Sequence, residues 1–280
     1  MAIPRLRPDQ RRQVGGGEAQ PRSVVGLIGP GSGLGVSGLI PANDGWVALG
    51  PEGGHGSVSP RDERGIMVLR HAARKFGHVS FERLLSGPGL ELIHAALAGS
   101  AAAGHSTPAP LRAPEISRRA LEEADALCIE SLNVFCAILG TAAANLAVTQ
   151  GAFGGMFIGG AIVPRLGEFF DRSPFRARFE DKGRFSDYCK RIPTFVINAE
   201  NATLAGASTI LSQQLRGLES SQGSSLLGQI QRSLNNLSPA ERRVADYMLA
   251  HPRSAMNDPI AQIALAAEVS QPTVIRFCRS

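Results

Sequence analysis

The stretch Ser23-Val24-Val25-Gly26-Leu27-Ile28-Gly29-Pro30-Gly31-Ser32-Gly33-Leu34-Gly35-Val36-Ser37-Gly38-Leu39 decides the reading of this chain. Apolar residues before Gly29 form a short buried-strand pattern. Glycines at 29, 31, 33 and 35 interrupt it, and an apolar run resumes from Val36 to Leu39. The order is strand, Gly-rich turn, strand. The glycines fit neither GxGxxG nor the Walker pattern, since Leu34 breaks the first and no Lys follows. Such a turn still offers several backbone N–H groups to phosphate oxygens, with the Ser32 hydroxyl beside them. Taken alone, it is equally well a tight structural turn.

Outward from this stretch, strand and helix patterns alternate, which indicates an α/β domain. Helical spacing runs over 62–76. A second helix begins at Phe81, is interrupted at Ser86-Gly87-Pro88-Gly89 and resumes over 90–97. Residues 99–114 are rich in Gly, Ala, Ser and Pro and read as a surface loop. Pro114 and Glu115 open a helix, and a longer, mostly buried one spans 127–149. Met156-Phe157-Ile158 is a strand entering Gly159-Gly160, and a helix begins near Pro164, where proline is tolerated. A strand over 193–197 and a helix over 202–215 complete the domain. Residues 217–225 are polar and Gly/Ser-rich, hence a linker, and 226–280 are helical in pattern. Residues 131–164 contain no charge, but Asn133, Asn145, Gln150 and two Gly pairs break the run. It reads as a buried helix, a turn and a strand, not as a membrane span.

Net charge is confined to the ends. Residues 1–22 carry five Arg against Asp9 and Glu18, and 223–280 carry six Arg against four acids, while the middle is neutral. The main domain is therefore not a basic nucleic-acid binder. Residues 1–22 bury little and read as a disordered tail or a gene-model artefact. Cys128, Cys136, Cys189 and Cys278 form no CxxC pair, so reduced thiols in a cytoplasmic protein are expected.

Glu52-Gly53-Gly54-His55 places a carboxylate and an imidazole on a loop with little bulk between them. Carboxylates accept hydrogen bonds from neighbouring sugar hydroxyls, and His can donate or accept. Metal binding is disfavoured, because further ligands at fitting spacing are lacking. A solvated loop is the competing reading.

These motifs occur together with Pro60-Arg61-Asp62-Glu63, His78 to Gly89 and Phe175 to Phe185, in an order that resembles bacterial glucokinases over residues 23–216. The resemblance implies an actin/hexokinase-like (ribonuclease-H-like) α/β fold, with ATP, Mg²⁺ and glucose in a cleft. It implies that Glu52, His55 and Glu82 bind the sugar. It places Gly31, Ser32 and Gly33 in a phosphate loop, and Gly159 and Gly160 in an adenosine motif. Ala161 stands where the family pattern has a third glycine, which implies a tighter nucleotide pocket. The cysteine-rich zinc signature of the related ROK kinases is absent from the sequence, and no metal ligand is expected. No Asp-x-Gly-Gly-Thr loop and no Asn-Asp pair supplying a catalytic aspartate are read. No catalytic residue is assigned, and the amino-terminal lobe is expected to be missing.

Beyond the linker, Ser238 is a helix N-cap, with Pro239 at the first position and Glu241 closing a capping box. A short helix begins at Ile260, a turn follows over 268–270, and a second helix starts at Gln271, capped by Ser270. This spacing resembles the start of RpiR-type helix-turn-helix regulators, an all-α module. The resemblance implies that Gln271 and Thr273 face DNA bases, that Arg276 or Arg279 touches phosphate or guanine, and that the protein dimerises on two half-sites. A small helical bundle with a solvated basic face is the alternative. The chain breaks off inside the second helix, so both halves read as parts of longer modules. Three readings stand: a kinase fused to a regulator, a sugar-responsive DNA-binding regulator without kinase activity, and a fragment with neither.

Overall fold

The computed structural model describes residues 6–43, 45–101, 110–198, 237–251 and 258–278, besides Ile3, Ile230, Ser233, Leu234 and Ala255. The chain divides into two units, one spanning Leu6–Ala199 and the other containing Glu200–Ser280. The expected linker and the helix over 202–215 lie outside the described residues.

The first unit is built on a six-stranded sheet. Its strands are β1 (Arg11–Val14), β2 (Val25–Pro30), β3 (Leu34–Ala42), β4 (Gly45–Leu49), β5 (Met156–Ile158) and β6 (Thr194–Ile197), in the order β1-β6-β5-β2-β3-β4. β2, β5 and β6 run parallel, while β3 pairs antiparallel with both β2 and β4. The quoted stretch is thus the β2–β3 hairpin, in register from Val25↔Leu39 to Pro30↔Leu34. The strand β4 was not read from the sequence. Asn43, which precedes it, has φ 44°, a left-handed conformation that asparagine tolerates.

Nine helices of this unit are described. They are α1 (Glu63–Ala73), α2 (Phe81–Leu84), α3 (Gly87–Ala101), α4 (Ala113–Glu122), α5 (Ala126–Gln150), α6 (Val163–Leu166), α7 (Glu168–Arg172), α8 (Phe175–Glu180) and α9 (Ser186–Lys190). The uncharged run is mostly α5. Asp125 caps its start by accepting the Leu127 and Cys128 amides, and Gly151, at φ 66°, ends it. α5 is long and apolar enough to cross a membrane, but it packs against α3, α4 and α8, and Leu132, Phe135 and Leu139 are wholly buried. Its apolar surface is therefore spent inside the domain. Gly140 permits the close approach of α8, since a Cβ there would lie 2.4 Å from the Phe175 carbonyl oxygen. Cys128, Cys136 and Cys189 are buried free thiols, and burial pushes Cys136 up to about 12.

The disordered-tail reading of residues 1–22 is overturned for the described part. Arg11–Val14 pairs antiparallel with β6, from Arg11↔Ile197 to Val14↔Thr194, and Val14 is 3% exposed. The arginines that made this segment look solvated are engaged: Arg12 pairs with Asp171, and Arg11 lies 4.8 Å over the Phe195 ring. Gly17 is at φ 94°, and a Cβ there would stand 2.8 Å from the Arg191 carbonyl oxygen. Gly17 therefore serves close backbone approach.

One buried pair joins α3 to α5: His94, 6% exposed, has its Nδ1 3.0 Å from Ser131 Oγ. Burial holds the imidazole below its ordinary pKa, against the raising effect of Asp125 and with a small lowering effect of Arg119. The unfolded chain therefore takes up the proton first as pH falls. Stability is expected to be insensitive to His94 above a pH of about 6.5 and to decline below it. Melting curves at stepped pH should show this decline flattened in His94→Gln; identical pH slopes in both proteins would exclude it.

In the second unit, α10 (Pro239–Ala250), α11 (Ile260–Ala266) and α12 (Gln271–Phe277) enclose Val244, Ile263, Ala264, Ala267 and Val274. Ser238 and Glu241 form the expected capping box. The turn between α11 and α12 passes through Glu268 at φ 53°, a left-handed conformation uncommon for a non-glycine residue.

Candidate functional site

Parallel strands place their carboxyl ends side by side, where open α/β sheets bind ligands. β2 ends at Pro30 and β5 at Ile158, so Gly31–Gly33 and Gly159–Gly160 emerge together. The turn after β2 is closed by the Gly31 amide donating to the Gly33 carbonyl at 2.8 Å. The Gly31 carbonyl in turn accepts the Gly87 amide at 2.9 Å, tying the turn to the start of α3. The Gly159 amide donates to the Ile28 carbonyl at 2.9 Å. Gly160 has φ 79°, and a Cβ on it would lie 2.2 Å from the Pro30 carbonyl oxygen. A Cβ on Gly29 would likewise lie 3.2 Å from the Gly160 amide nitrogen. The two glycine segments thus meet backbone to backbone, leaving Ser32, Gly160 and Ala161 exposed.

Glu52 and His55 flank a short 3-10 turn over Gly53–His55. Their side chains are 89% and 61% exposed, with His55 Nε2 3.9 Å from Glu52 Oε2. Gly54 presses against β3, where a Cβ would meet the Leu34 carbonyl oxygen at 2.6 Å. The loop then runs beside the segment preceding α2, through Phe81 N–H to the Gly56 carbonyl (2.9 Å) and Val58 N–H to the Val79 carbonyl (3.1 Å). That pairing delivers Glu82, whose Oε2 accepts the Leu34 amide at 3.0 Å. The start of β3 is therefore the common support for the Gly-rich turn, the Glu52–His55 loop and Glu82. The Leu34–Glu82 contact had no signal in the sequence, because the partners lie 48 residues apart. The arrangement offers exposed carboxylate and imidazole groups beside backbone amides, a combination able to hold hydroxyl groups next to phosphate. Among the described residues no group of His, Cys, Asp and Glu is arranged to hold a metal ion.

In the helix-turn-helix unit, the expected base-facing pair separates. Gln271 is exposed, but Thr273 is 8% exposed, and its Oγ1 lies 2.9 Å from Ser270 Oγ. Thr273 is a buried packing residue, so its assignment to bases is corrected. It sits two positions after Gln271, which at 3.6 residues per turn points it toward another face. Arg276 is exposed, with its Nε donating to Glu241 Oε1 at 3.1 Å, so its guanidinium is tied to the capping box of α10. Arg279 lies outside the described residues. Thr273→Ala is expected to lower the melting point of this unit, at a cost of about 1 kcal/mol for the lost hydrogen bond and packing. Gln271→Ala should leave the melt unchanged, and a reversed ranking would reinstate Thr273 as a surface residue.

The chain matches the family model for glucokinase over residues 1–214 and that for the helix-turn-helix domain of the rpiR family over 224–280. It is 55% identical over 280 residues to the "Bifunctional protein glk" of Paraburkholderia xenovorans, covering 100% of this chain and 43% of that protein. A glucokinase of Chromobacterium violaceum is 52% identical over 215 residues, 77% of this chain and 61% of its own. The crystal structure of a glucokinase from an Antarctic psychrotroph superposes with a TM-score of 0.70 at 34% identity, covering 76% of this chain and 65% of that one. The chain thus spans less than half the length of the bifunctional relatives it matches.

Proposed function

Because the chain belongs to the glucokinase family and carries an RpiR-type helix-turn-helix domain, we propose that it is part of a glucose-phosphorylating enzyme joined to a DNA-binding regulator. The observation that carries this reading is the convergence of the two glycine segments and Glu82 at the carboxyl ends of β2 and β5. In this reading, Glu52, His55 and Glu82 hold sugar hydroxyls. Gly31, Ser32 and Gly33 receive phosphate oxygens, and Gly159 and Gly160 lie against the adenosine. The site fits a nucleotide because side chains are sterically excluded where the two glycine segments meet. Mg²⁺ bound with the nucleotide would neutralise phosphate charge. What these residues contribute is position: they set the sugar beside the phosphate chain and hold both still. No residue described is assigned as the base that takes the sugar hydroxyl proton. The 280-residue chain is therefore expected to bind sugar and to turn over little.

The exposed face of α12, with Gln271 and Arg276, supports DNA contact, and two-fold half-sites call for a homodimer. Buried free thiols and a DNA target fit a cytoplasmic protein. A sugar-responsive regulator without kinase activity is the second reading, supported by the exposed Gln271 and Arg276 on α12.

Calorimetric titration of glucose into the chain tests the site, with Glu52→Ala/Glu82→Ala as the control. Saturable heat in the parent, absent from the double variant, is expected. No heat in either protein, or equal heat in both, would remove the sugar assignment. A coupled assay for glucose phosphorylation, run alongside, separates the kinase reading from the regulator reading.

A further inference from the structure

Gly33 is not required by its own backbone. It is absent from the glycines with positive φ, unlike Gly151, Gly155 and Gly160. What a side chain there would displace is Glu82: a Cβ on Gly33 would stand 2.7 Å from Glu82 Oε2 and 3.3 Å from its carboxyl carbon. The same Oε2 accepts the amide of Leu34, the residue at which the Gly-rich turn becomes β3. A carboxylate has about four lone-pair sites on two oxygens. One oxygen of Glu82 is thus bound to the turn, and Oε1 is left for another donor.

We propose that Gly33 and Glu82 couple the two halves of the site: a sugar hydroxyl on Glu82 orders the Gly-rich turn through the Leu34 amide, so that sugar and nucleotide raise each other's affinity. This rests on the assignment of Glu82 to the sugar and goes beyond it, because it gives Gly33 a second role, in support of the sugar ligand. Gly33 is a positioning residue in this scheme. A methyl group there displaces the carboxylate, whose bond to Leu34 is lost. A hydroxyl donating to Oε1 removes rotational freedom from the carboxylate. The ordering of Leu34 and of the adjoining turn is then already complete when phosphate arrives. The coupling must be reciprocal, since it is a property of the doubly bound state.

The experiment is a pair of calorimetric titrations on the 280-residue chain, ATP with and without saturating glucose and glucose with and without ATP. Parent, Gly33→Ala and Gly77→Ala are compared; a Cβ on Gly77 meets open space. In the parent, each ligand should tighten the other by about fivefold or more. In Gly33→Ala, glucose should bind about tenfold more weakly, the scale of a lost charged hydrogen bond. The mutual effect should disappear. Gly77→Ala should behave as the parent.

Glucose affinity in Gly33→Ala equal to the parent overturns the proposal while leaving the sugar assignment intact. So does a parent in which the two ligands ignore each other. A parent that binds no glucose overturns the assignment and the coupling together. Hydrogen exchange of the Leu34 amide, measured without ligand, is the separate check on geometry. It should accelerate in both Gly33→Ala and Glu82→Ala while the melting curves stay cooperative, and an unchanged rate in both rejects the Glu82–Leu34 link.

Discussion

Arg176→Ala is expected to destabilise the α/β unit by about 3–5 kcal/mol, the scale for breaking a buried, multiply bonded charge. Arg176 is 9% exposed and reaches four partners from α8. Its Nε donates to Glu180 at 2.6 Å, Nη1 to the Ile192 carbonyl at 2.9 Å and to Thr194 Oγ1 at 3.3 Å, and Nη2 to the Lys190 carbonyl at 3.1 Å. Its guanidinium also lies 5.1 Å from the centre of the Phe179 ring. Truncation strips partners from two carbonyls and a hydroxyl and leaves Glu180 without its counter-charge. Each buried polar group left unpaired costs about 1–3 kcal/mol. The consequence extends to β1, because the Arg176 side chain also packs on Gly15, where a Cβ would lie 2.4 Å from its Cδ. Trp46, the single tryptophan, sits in β4 of this unit, so its fluorescence during denaturant unfolding reports this unit. A midpoint shift equal to that of an exposed control such as Arg172→Ala would refute the role given to Arg176; the Arg172 side chain is 80% exposed.

Gly160→Ala carries the second large effect. A residue other than glycine at φ 79° is strained by about 1–3 kcal/mol. The added Cβ would also stand 2.2 Å from the Pro30 carbonyl oxygen, a backbone atom that cannot swing aside. Relief requires β5 and the turn after β2 to separate, which opens the junction where both glycine segments meet. A lower melting point is expected, together with ATP affinity reduced by more than about tenfold, the equivalent of 1.4 kcal/mol. The neighbouring Ala161 tolerates its methyl group because it is exposed. Its presence in place of a third glycine therefore does not distort the backbone contact. Calorimetric ATP titration beside a thermal melt checks both parts, and unchanged ATP affinity with a lowered melt would assign Gly160 to folding alone.

Much of this was legible in one dimension because the signals are local. The β2–β3 hairpin follows from apolar runs on either side of alternate glycines. α5 follows from a long apolar pattern, read over 127–149 and found over Ala126–Gln150. The Ser238–Glu241 capping box depends on residues three apart, and it forms as read. Motif order was enough to point to the family, because several long segments in register exclude coincidence where any single one does not.

Other features escaped because their cause is distant in sequence. The arginines of residues 11 and 12 look like a solvated tail until Phe195 and Asp171 come beside them, more than 150 residues later. β4 is five residues whose pattern does not alternate, an edge strand that pairing with β3 defines. Thr273 was placed on the DNA-facing side by motif, whereas helix packing turns it inward.

The sequence by itself determined the family, the β2–β3 hairpin, the long helix α5 and the Ser238–Glu241 capping box, because each depends on patterns within short stretches of chain. The tertiary structure decided which of those glycines answer to their own φ and which to a neighbour, as Gly160 and Gly33 illustrate. It also decided that Glu82 belongs to the Gly-rich turn as well as to its own helix. Side-chain exclusion and shared hydrogen bonds arise between chain segments, and only folding brings those segments within reach of one another.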